Sequence, residues 1–142
     1  MSCTISEDLS KKSVYEKFLI DTYPTIYQTL EPAGRGGERF ECGDGWYEIV
    51  EELSAELEAI ATAGGANRLN VVQVKEKLSA LRVYFDRPAP AAAIKLVDAA
   101  IERSRVTCEL CGGPGELRRY RRGWLRTLCE ECETQASTKI LA

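Results

Sequence analysis

The sequence predicts an α+β fold, in which helices cover a small antiparallel β-hairpin or sheet and a zinc-ribbon or treble-clef module follows at the C-terminus. Apolar residues recur at helical spacing in two segments, and β-branched residues cluster between them. Four cysteines form two Cys-x2-Cys pairs near the C-terminus. We therefore expect an α+β body over residues 1–104 and a metal-binding module over residues 105–142, packed on that body.

Composition indicates a soluble protein. The 142 residues are 44% hydrophobic and 29% charged, and they contain no apolar run long enough to span a bilayer. The N-terminus leads from Met1 into charged residues without the apolar stretch of a signal peptide, so we expect a cytoplasmic protein. The net charge is -3, with acidic residues in excess over 1–104 and basic residues in excess over 105–142.

The first predicted helix begins at a capping box. Ser13 and Glu16 have the spacing at which each side chain accepts from the other's backbone amide, and apolar residues follow. This helix should end near Tyr23-Pro24. Gly and Pro are frequent from Gln28 to Gly45, which predicts a long loop.

The second predicted helix starts at Trp46, with Asp44 as its N-cap, and stops at Gly64-Gly65. Its apolar residues repeat at three and four positions: Trp46, Ile49, Val50, Leu53, Leu57 and Ile60. Its opposite face is acidic: Glu48, Glu51, Glu52, Glu56 and Glu58. We interpret this face as solvated, with Glu48, Glu51 and Glu52 as candidate contacts for a partner.

A hairpin and a third helix complete the predicted body. Residues 71–74 and 81–85 favour strands, with the turn between Lys75 and Ala80. Alternation places Val72 and Val74 on one face, and likewise Leu81, Val83 and Phe85. Pro88 and Pro90 precede a helix from Ala91 to Ser104, whose apolar stripe is Ile94, Val97 and Ile101.

The cysteine pairs predict one zinc site with four ligands: Cys108, Cys111, Cys129 and Cys132. Four thiolates fill a tetrahedron and leave no position for water, so the zinc should be structural. Gly112-Gly113 suits the turn after the first pair, strands are expected at 117–120 and 124–127, and the second pair should open a helix. The alternatives are two Cys-x2-Cys disulfides or a redox pair. Outside the set, we expect Cys3 in a tail and Cys42 as a small buried residue.

An arginine-rich segment lies between the cysteine pairs and contains Arg118, Arg119, Arg121, Arg122 and Arg126 with Tyr120 and Trp124. Arginines that contact phosphates and aromatic rings that stack on bases are typical of nucleic-acid binding. The candidate nucleic-acid or partner contacts are therefore Arg118, Arg119, Arg121, Arg122 and Trp124. The alternative is that Trp124 packs over the metal module while the arginines face water or pair with the acidic body. A pI of about 5.2 favours this alternative.

Catalysis is not expected. The chain has no histidine, which removes the usual base for a serine or cysteine nucleophile. Glu41, Asp44 and Glu48 form the densest carboxylate group, but a helix cap and solvated side chains account for them. We predict that the protein is not an enzyme and has no small-molecule substrate.

Several motifs in order along the chain carry a family resemblance: Tyr23-Pro24, Glu41-Cys42-Gly43-Asp44-Gly45-Trp46-Tyr47, Val72–Lys77 with Leu81–Tyr84, and Cys108–Cys132 with Gly112 and Pro114-Gly115. In this combination the chain resembles a family of small, largely uncharacterised proteins of bacteriophages and prophages. The resemblance spans about residues 23 to 132. Family members have a Phe-Gly turn where this chain has Leu78-Ser79.

The resemblance implies an accessory protein that acts in the bacterial host cytoplasm and binds a host protein or complex. Inhibition of a defence complex such as a CRISPR nuclease is one specific form of that role. The leading hypothesis is therefore a non-catalytic, zinc-stabilised protein that binds another protein. The alternatives are a nucleic-acid-binding zinc ribbon that uses the arginine-rich hairpin and, third, a thiol redox protein. No membrane partner is expected.

Overall fold

The computed structural model describes residues 9–30, 40–63, 68–120 and 123–140, and side chains over 14–30, 40–63, 68–120 and 123–135. The elements in chain order are α1 (Leu9–Thr22), β1 (Phe40–Glu41), a 3₁₀-helix (Asp44–Trp46), α2 (Tyr47–Thr62), β2 (Val71–Lys77), β3 (Ala80–Phe85), α3 (Ala91–Ser104), β4 (Glu116–Arg119), β5 (Leu125–Leu128) and α4 (Glu130–Ile140). The predicted α+β class is confirmed. Across these described ranges, no helix has the length and apolar character needed to cross a membrane.

The first helix begins one turn earlier than predicted. Because α1 starts at Leu9, Ser13 lies inside the helix, and the predicted capping box is wrong. The segment before Ser13 contains leucine and lysine, which favour helix and extend it towards the N-terminus. The predicted end is confirmed, since α1 stops at Thr22, where the following Tyr23-Pro24 disfavours helical backbone.

The body sheet has the order β1-β2-β3 and mixes two pairing directions. Strands β2 and β3 form the predicted antiparallel hairpin, whereas β1 runs parallel to β2 with Phe40 beside Val74. β1 lies in the segment predicted as a loop, so that prediction is wrong at Phe40–Glu41. Residues 31–39 of the predicted loop lie outside the described residues.

A β-bulge sets which side chains of the hairpin are buried. Val71 pairs with Phe85 and Gln73 pairs with Tyr84, so Val72 is an extra residue in β2. Val71 and Val74 are consequently buried, Val72 is half-buried, and the prediction that Val72 and Val74 share a face is wrong. The prediction for β3 is confirmed, since its residues at 81, 83 and 85 all contact the core.

The hairpin turn is shorter than the predicted one. Leu78 and Ser79 connect β2 to β3, with φ angles of 52° and 69°. Two consecutive positive φ angles are typical of a type I′ turn, whose twist matches that of the flanking strands. The turn therefore occupies Leu78-Ser79, inside the stretch from Lys75 to Ala80 where a turn was predicted.

Helices α2 and α3 pack against each other and cover the sheet. The predicted stripe of α2 is confirmed: Trp46, Ile49, Val50, Leu53 and Leu57 are buried and Ile60 is partly buried. The predicted bounds of α3 are confirmed, but Ile94 is 48% exposed and is not a core residue. The buried face of α3 is instead Ala93, Val97, Ala100 and Ser104. Its small side chains let the helix approach the body closely, so the burial follows residue size as well as hydrophobicity.

The start of α2 also differs from prediction. The 3₁₀-helix precedes α2, and neither Gly43 nor Trp46, the two cap positions, has a side-chain capping bond. Asp44 is therefore the first residue of the 3₁₀-helix and not the N-cap of α2. Trp46 is fully buried, and its packing fixes the path of the chain into α2.

Buried side chains fall into two clusters. The larger one contains residues from Leu19 to Ala100, on α1, α2, α3 and the body sheet. The smaller one contains Cys108, Leu128 and Cys132, with Tyr120 and the other two cysteine ligand candidates packed around it. The cysteines thus form the centre of their own small core.

Candidate metal centre

The four cysteines predicted as ligands lie together. Their sulfur atoms are all within 4.8 Å of one another. Cys108 and Cys132 are buried, while Cys111 and Cys129 are half-buried, with their two sulfurs 3.7 Å apart. In a tetrahedron with metal–sulfur bonds of about 2.3 Å, neighbouring sulfurs are about 3.8 Å apart. The donor set therefore fits one tetrahedral metal ion, of the kind that four sulfurs bind as zinc or iron.

Neither Cys-x2-Cys pair is closed by a disulfide. Cys108, Cys111 and Cys129 are not in disulfides, which excludes the alternative of two Cys-x2-Cys disulfides.

Tight backbone turns aim the sulfurs of the first pair at one point. The Cys108 amide donates to the Gly113 carbonyl at 2.7 Å, and Gly112 adopts a φ of +83° that favours glycine. The Gly113 amide donates to the Cys111 sulfur at 3.4 Å. Burial nevertheless raises the pKa of Cys111 to about 11, so a bound cation is needed to hold this sulfur as thiolate at neutral pH.

The second pair stands where β5 ends and α4 begins. Cys129 precedes α4, and the Cys132 amide donates to the Cys129 sulfur at 3.3 Å. Strands β4 and β5 pair antiparallel between the two cysteine pairs, each within one residue of the predicted bounds. The hairpin therefore brings the two distant pairs together.

The Gly-rich segment Glu41–Tyr47 attaches the candidate metal centre to the body. The Gly45 amide donates to the Glu109 carbonyl at 2.7 Å, and the Gly43 amide donates to Glu109 Oε2 at 2.9 Å. Trp46 Nε1 donates to the Thr107 carbonyl at 2.9 Å. Sequence reasoning missed Glu109, because one glutamate between two cysteines carries no signal of its own.

Glycine is required at position 45 by this close approach. A Cβ atom there would lie 2.2 Å from the Cys108 carbonyl oxygen, which is far inside van der Waals contact. A second attachment lies at the hairpin turn, where buried Thr127 Oγ1 donates to the Ser79 carbonyl at 2.7 Å. The metal centre is thus joined to two separate elements of the body.

The structure divides the arginine-rich segment. Arg118 is half-buried and its Nε donates to the Leu128 carbonyl at 3.3 Å, while Arg119 is exposed. Arg126 forms an ion pair with buried Glu109 at 3.3 Å. Trp124 is 59% exposed, so the expectation that it packs over the metal module is wrong. Arg121 and Arg122 lie outside the described residues.

The glutamates of α2 are not all solvated. Glu48 is exposed, Glu51 accepts from the Tyr23 hydroxyl at 3.4 Å, and Glu52 forms an ion pair with Arg103. Glu58 is half-buried, and its two oxygens accept from the backbone amides of Thr25 and Ile26 at 3.1 and 3.0 Å. For Glu58 the interpretation as a solvated residue is wrong, because it fixes the turn after α1.

Cys42 is half-buried against the body core rather than fully buried. It lines a small cavity of about 30 Å³ together with Glu16 and Tyr47. Cys3 lies outside the described residues. Cys42 therefore does not belong to the cysteine cluster.

Comparisons with known protein families, with curated proteins and with solved structures give no match for this chain.

Proposed function

We propose that the chain is a non-catalytic, zinc-stabilised accessory protein of phage type that acts by binding a host protein. The observation that carries the proposal is the cluster of four sulfurs within 4.8 Å of one another. Four sulfur ligands occupy all coordination positions of a tetrahedral ion and leave none for substrate or water, which is typical of a structural metal. Because Gly43 and Gly45 of the body donate hydrogen bonds to Glu109, an ion that holds this turn in place would also stabilise the body.

The proposed metal is one zinc ion in a zinc-ribbon or treble-clef module. The order of a tight turn, the β4–β5 hairpin and a helix opening at the second cysteine pair supports this assignment. When bound, the ion supplies a cross-link between the two ends of the hairpin. The reducing host cytoplasm proposed for the protein keeps cysteines available as ligands.

Metal analysis of the reduced, full-length protein tests this assignment. One zinc per chain and a tetrahedral thiolate spectrum after cobalt substitution are expected. Cys111→Ser should lower the zinc content, whereas Cys42→Ser should leave it at one. Iron in the site would refute zinc, and a metal-free protein that stays folded would refute the structural metal and favour the redox alternative.

The acidic face of α2 is the first candidate surface for the partner. Glu48 is exposed, so its charge is accessible to a partner, and Glu52 lies at the surface in an ion pair with Arg103. Glu51 is half-buried on the same helix. Such a face suits a basic surface on the target, including a nucleic-acid channel of a defence nuclease such as a CRISPR effector.

Affinity capture from a bacterial lysate at physiological salt tests protein binding. The captured protein, once purified, should bind the wild type and should bind Glu48→Lys more weakly, while Asp98→Lys on α3 serves as the matched charge control. Loss of plasmid interference in cells that express the protein would identify the defence complex as target. If no protein is retained, the proposed function is wrong.

Nucleic-acid binding is the second candidate function. The exposed positions of Arg119 and Trp124 favour it, because both are available to phosphates and bases. Gel shifts with single- and double-stranded oligonucleotides between about 50 and 200 mM salt test it, since phosphate contacts weaken steeply over that range. Binding lost in Arg119→Ala would support this function, and no binding at low salt would refute it.

A further inference from the structure

A groove lies where the metal module meets the body. It has a volume of about 450 Å³ and is open to solvent at its surface. The hairpin turn, β1, the first cysteine pair and the start of β5 all contribute to it, through Glu41, Glu76, Leu78, Glu109, Trp124 and Arg126. The groove therefore exists only while the two parts of the molecule are joined.

Two large apolar side chains are exposed at this groove. Trp124 is 59% exposed and Leu78 is 61% exposed, although both are types that folding usually buries. An exposed tryptophan ring is a surface that a flat group can cover.

Carboxylates outnumber cations among the described residues that line the groove. The carboxylates are those of Glu41, Glu76 and Glu109, and the cation is Arg126. Arg126 is already paired with Glu109, and in the described part of the chain neither Glu41 nor Glu76 forms an ion pair. Lys75 also interacts electrostatically with Glu76.

The pKa of Glu76 is consistent with an under-neutralised site. Burial raises it first, and repulsion by Glu109 adds to the rise. A cation that entered the groove would lower the free energy of both charged carboxylates. The same carboxylates would repel a phosphate, which argues against nucleic-acid binding at this side of Trp124.

We propose that this groove binds an arginine side chain presented by the partner protein, with the guanidinium stacked on the indole of Trp124 and paired with Glu76 and Glu41. The inference rests on the proposed protein-binding function and adds the chemistry of the segment that is bound. Arginine fits better than lysine because its planar guanidinium stacks on an aromatic face while it donates in-plane hydrogen bonds. The binding surface is distinct from the acidic face of α2.

Nuclear magnetic resonance on the metal-loaded full chain tests the groove directly. The probe is the blocked tripeptide acetyl-Gly-Arg-Gly-amide, with acetyl-Gly-Gln-Gly-amide as the uncharged control. The chain has two tryptophans, so the buried Trp46 indole provides an internal reference. The arginine peptide should shift the Trp124 indole N–H resonance saturably, with a dissociation constant on the order of millimolar, and should leave that of Trp46 in place.

Variants then assign the contacts. Glu76→Gln and Glu41→Gln should each weaken binding about two- to fivefold, as expected for one partly exposed ion pair. Asp98→Asn, which removes an exposed carboxylate on α3, should bind like wild type. Trp124→Ala should abolish the shifts of the Gly123 and Leu125 amides, and higher salt should weaken binding.

Equal shifts with the two peptides, no shift of Trp124, or glutamate variants that bind like Asp98→Asn would each overturn the proposal. So would a Trp124 shift with an oligonucleotide and none with the arginine peptide. The two proposals fail separately: a partner captured from lysate without peptide binding refutes only the groove, and peptide binding without a captured partner refutes the protein-binding function.

Discussion

Replacement of Gly45 with alanine should weaken the attachment of the metal module to the body. The new Cβ would lie 2.2 Å from the Cys108 carbonyl oxygen and 2.6 Å from the Glu109 carbonyl carbon and oxygen. Real Cβ atoms do not approach so closely, and backbone atoms cannot rotate away as a side chain can. The segment around Gly45 must therefore move away from the turn that carries the first cysteine pair.

The magnitude follows from the hydrogen bonds that this movement breaks. Three of them join the segment to residues 107–109, with donor–acceptor distances of 2.7, 2.9 and 2.9 Å. A net contribution of about 1 kcal/mol each gives a loss of about 3 kcal/mol if all three break. Since a domain of this class unfolds with about 5–15 kcal/mol, the variant should lose a large part of its stability and about 10 °C in melting temperature.

Urea unfolding of the metal-loaded protein measures this loss. Fluorescence of buried Trp46 in a Trp124→Phe background reports the junction, and the matched control is Gly113→Ala in the same module. A Cβ at Gly113 would have the Cys111 sulfur at 3.5 Å as its nearest neighbour, an ordinary contact, so the control should stay within about 0.5 kcal/mol of wild type. If Gly45→Ala matches the control, the reasoning about the junction is refuted.

Three further predictions concern the metal, a buried carboxylate and a tyrosine. Cys111→Ser should lose the metal, and circular dichroism should show that its C-terminal module is unfolded. Cys42→Ser should keep both the metal and the folded module. Unchanged folding of Cys111→Ser would contradict a structural metal. Glu58→Ala removes the acceptor of two backbone amides and should lower the free energy of unfolding in urea by about 1–3 kcal/mol. Replacement of the exposed Glu56 with alanine should lower it by less than about 0.5 kcal/mol. Equal losses in the two variants would contradict the role of Glu58 as acceptor for these amides. Burial raises the pKa of Tyr27 above its usual 10.0, so the fold is stable with neutral Tyr27 below about pH 10 and loses stability as the pH rises further. Tyr27→Phe should reduce this loss of stability at alkaline pH. An unchanged pH profile of urea unfolding in the variant would contradict the prediction.

Features that depend on local pattern were predictable from the sequence. The helix after Trp46 follows from apolar residues at three- and four-residue spacing, and α3 follows from its prolines and periodicity. The cysteine cluster follows from the Cys-x2-Cys spacing alone. In each case the signal is contained within the segment that forms the structure, so no knowledge of distant residues is needed.

Features that depend on contacts between distant segments were not predictable in this way. The bulge at Val72 reverses the alternation expected for β2, and only the pairing with β3 fixes its position. Ile94 looks like a core residue by periodicity, yet it is exposed and the small residues Ala93, Ala100 and Ser104 are buried. The roles of Glu58 and Glu109 could not be predicted, because their backbone donors lie 32 to 66 residues away in sequence.

Glu109 links the metal centre, the body and the groove. Its side chain is 6% exposed, which is unfavourable for a carboxylate unless partners compensate its charge. Gly43 and Arg126 bond its carboxylate, Gly45 donates to its carbonyl, and its own amide donates to the Thr127 carbonyl at 2.9 Å. Because Glu109 directly follows Cys108, a candidate metal ligand, its position is set by the turn that a bound ion would hold. Loss of metal should consequently disturb the structure of the groove wall and of the start of α2, as well as that of the C-terminal end of the chain.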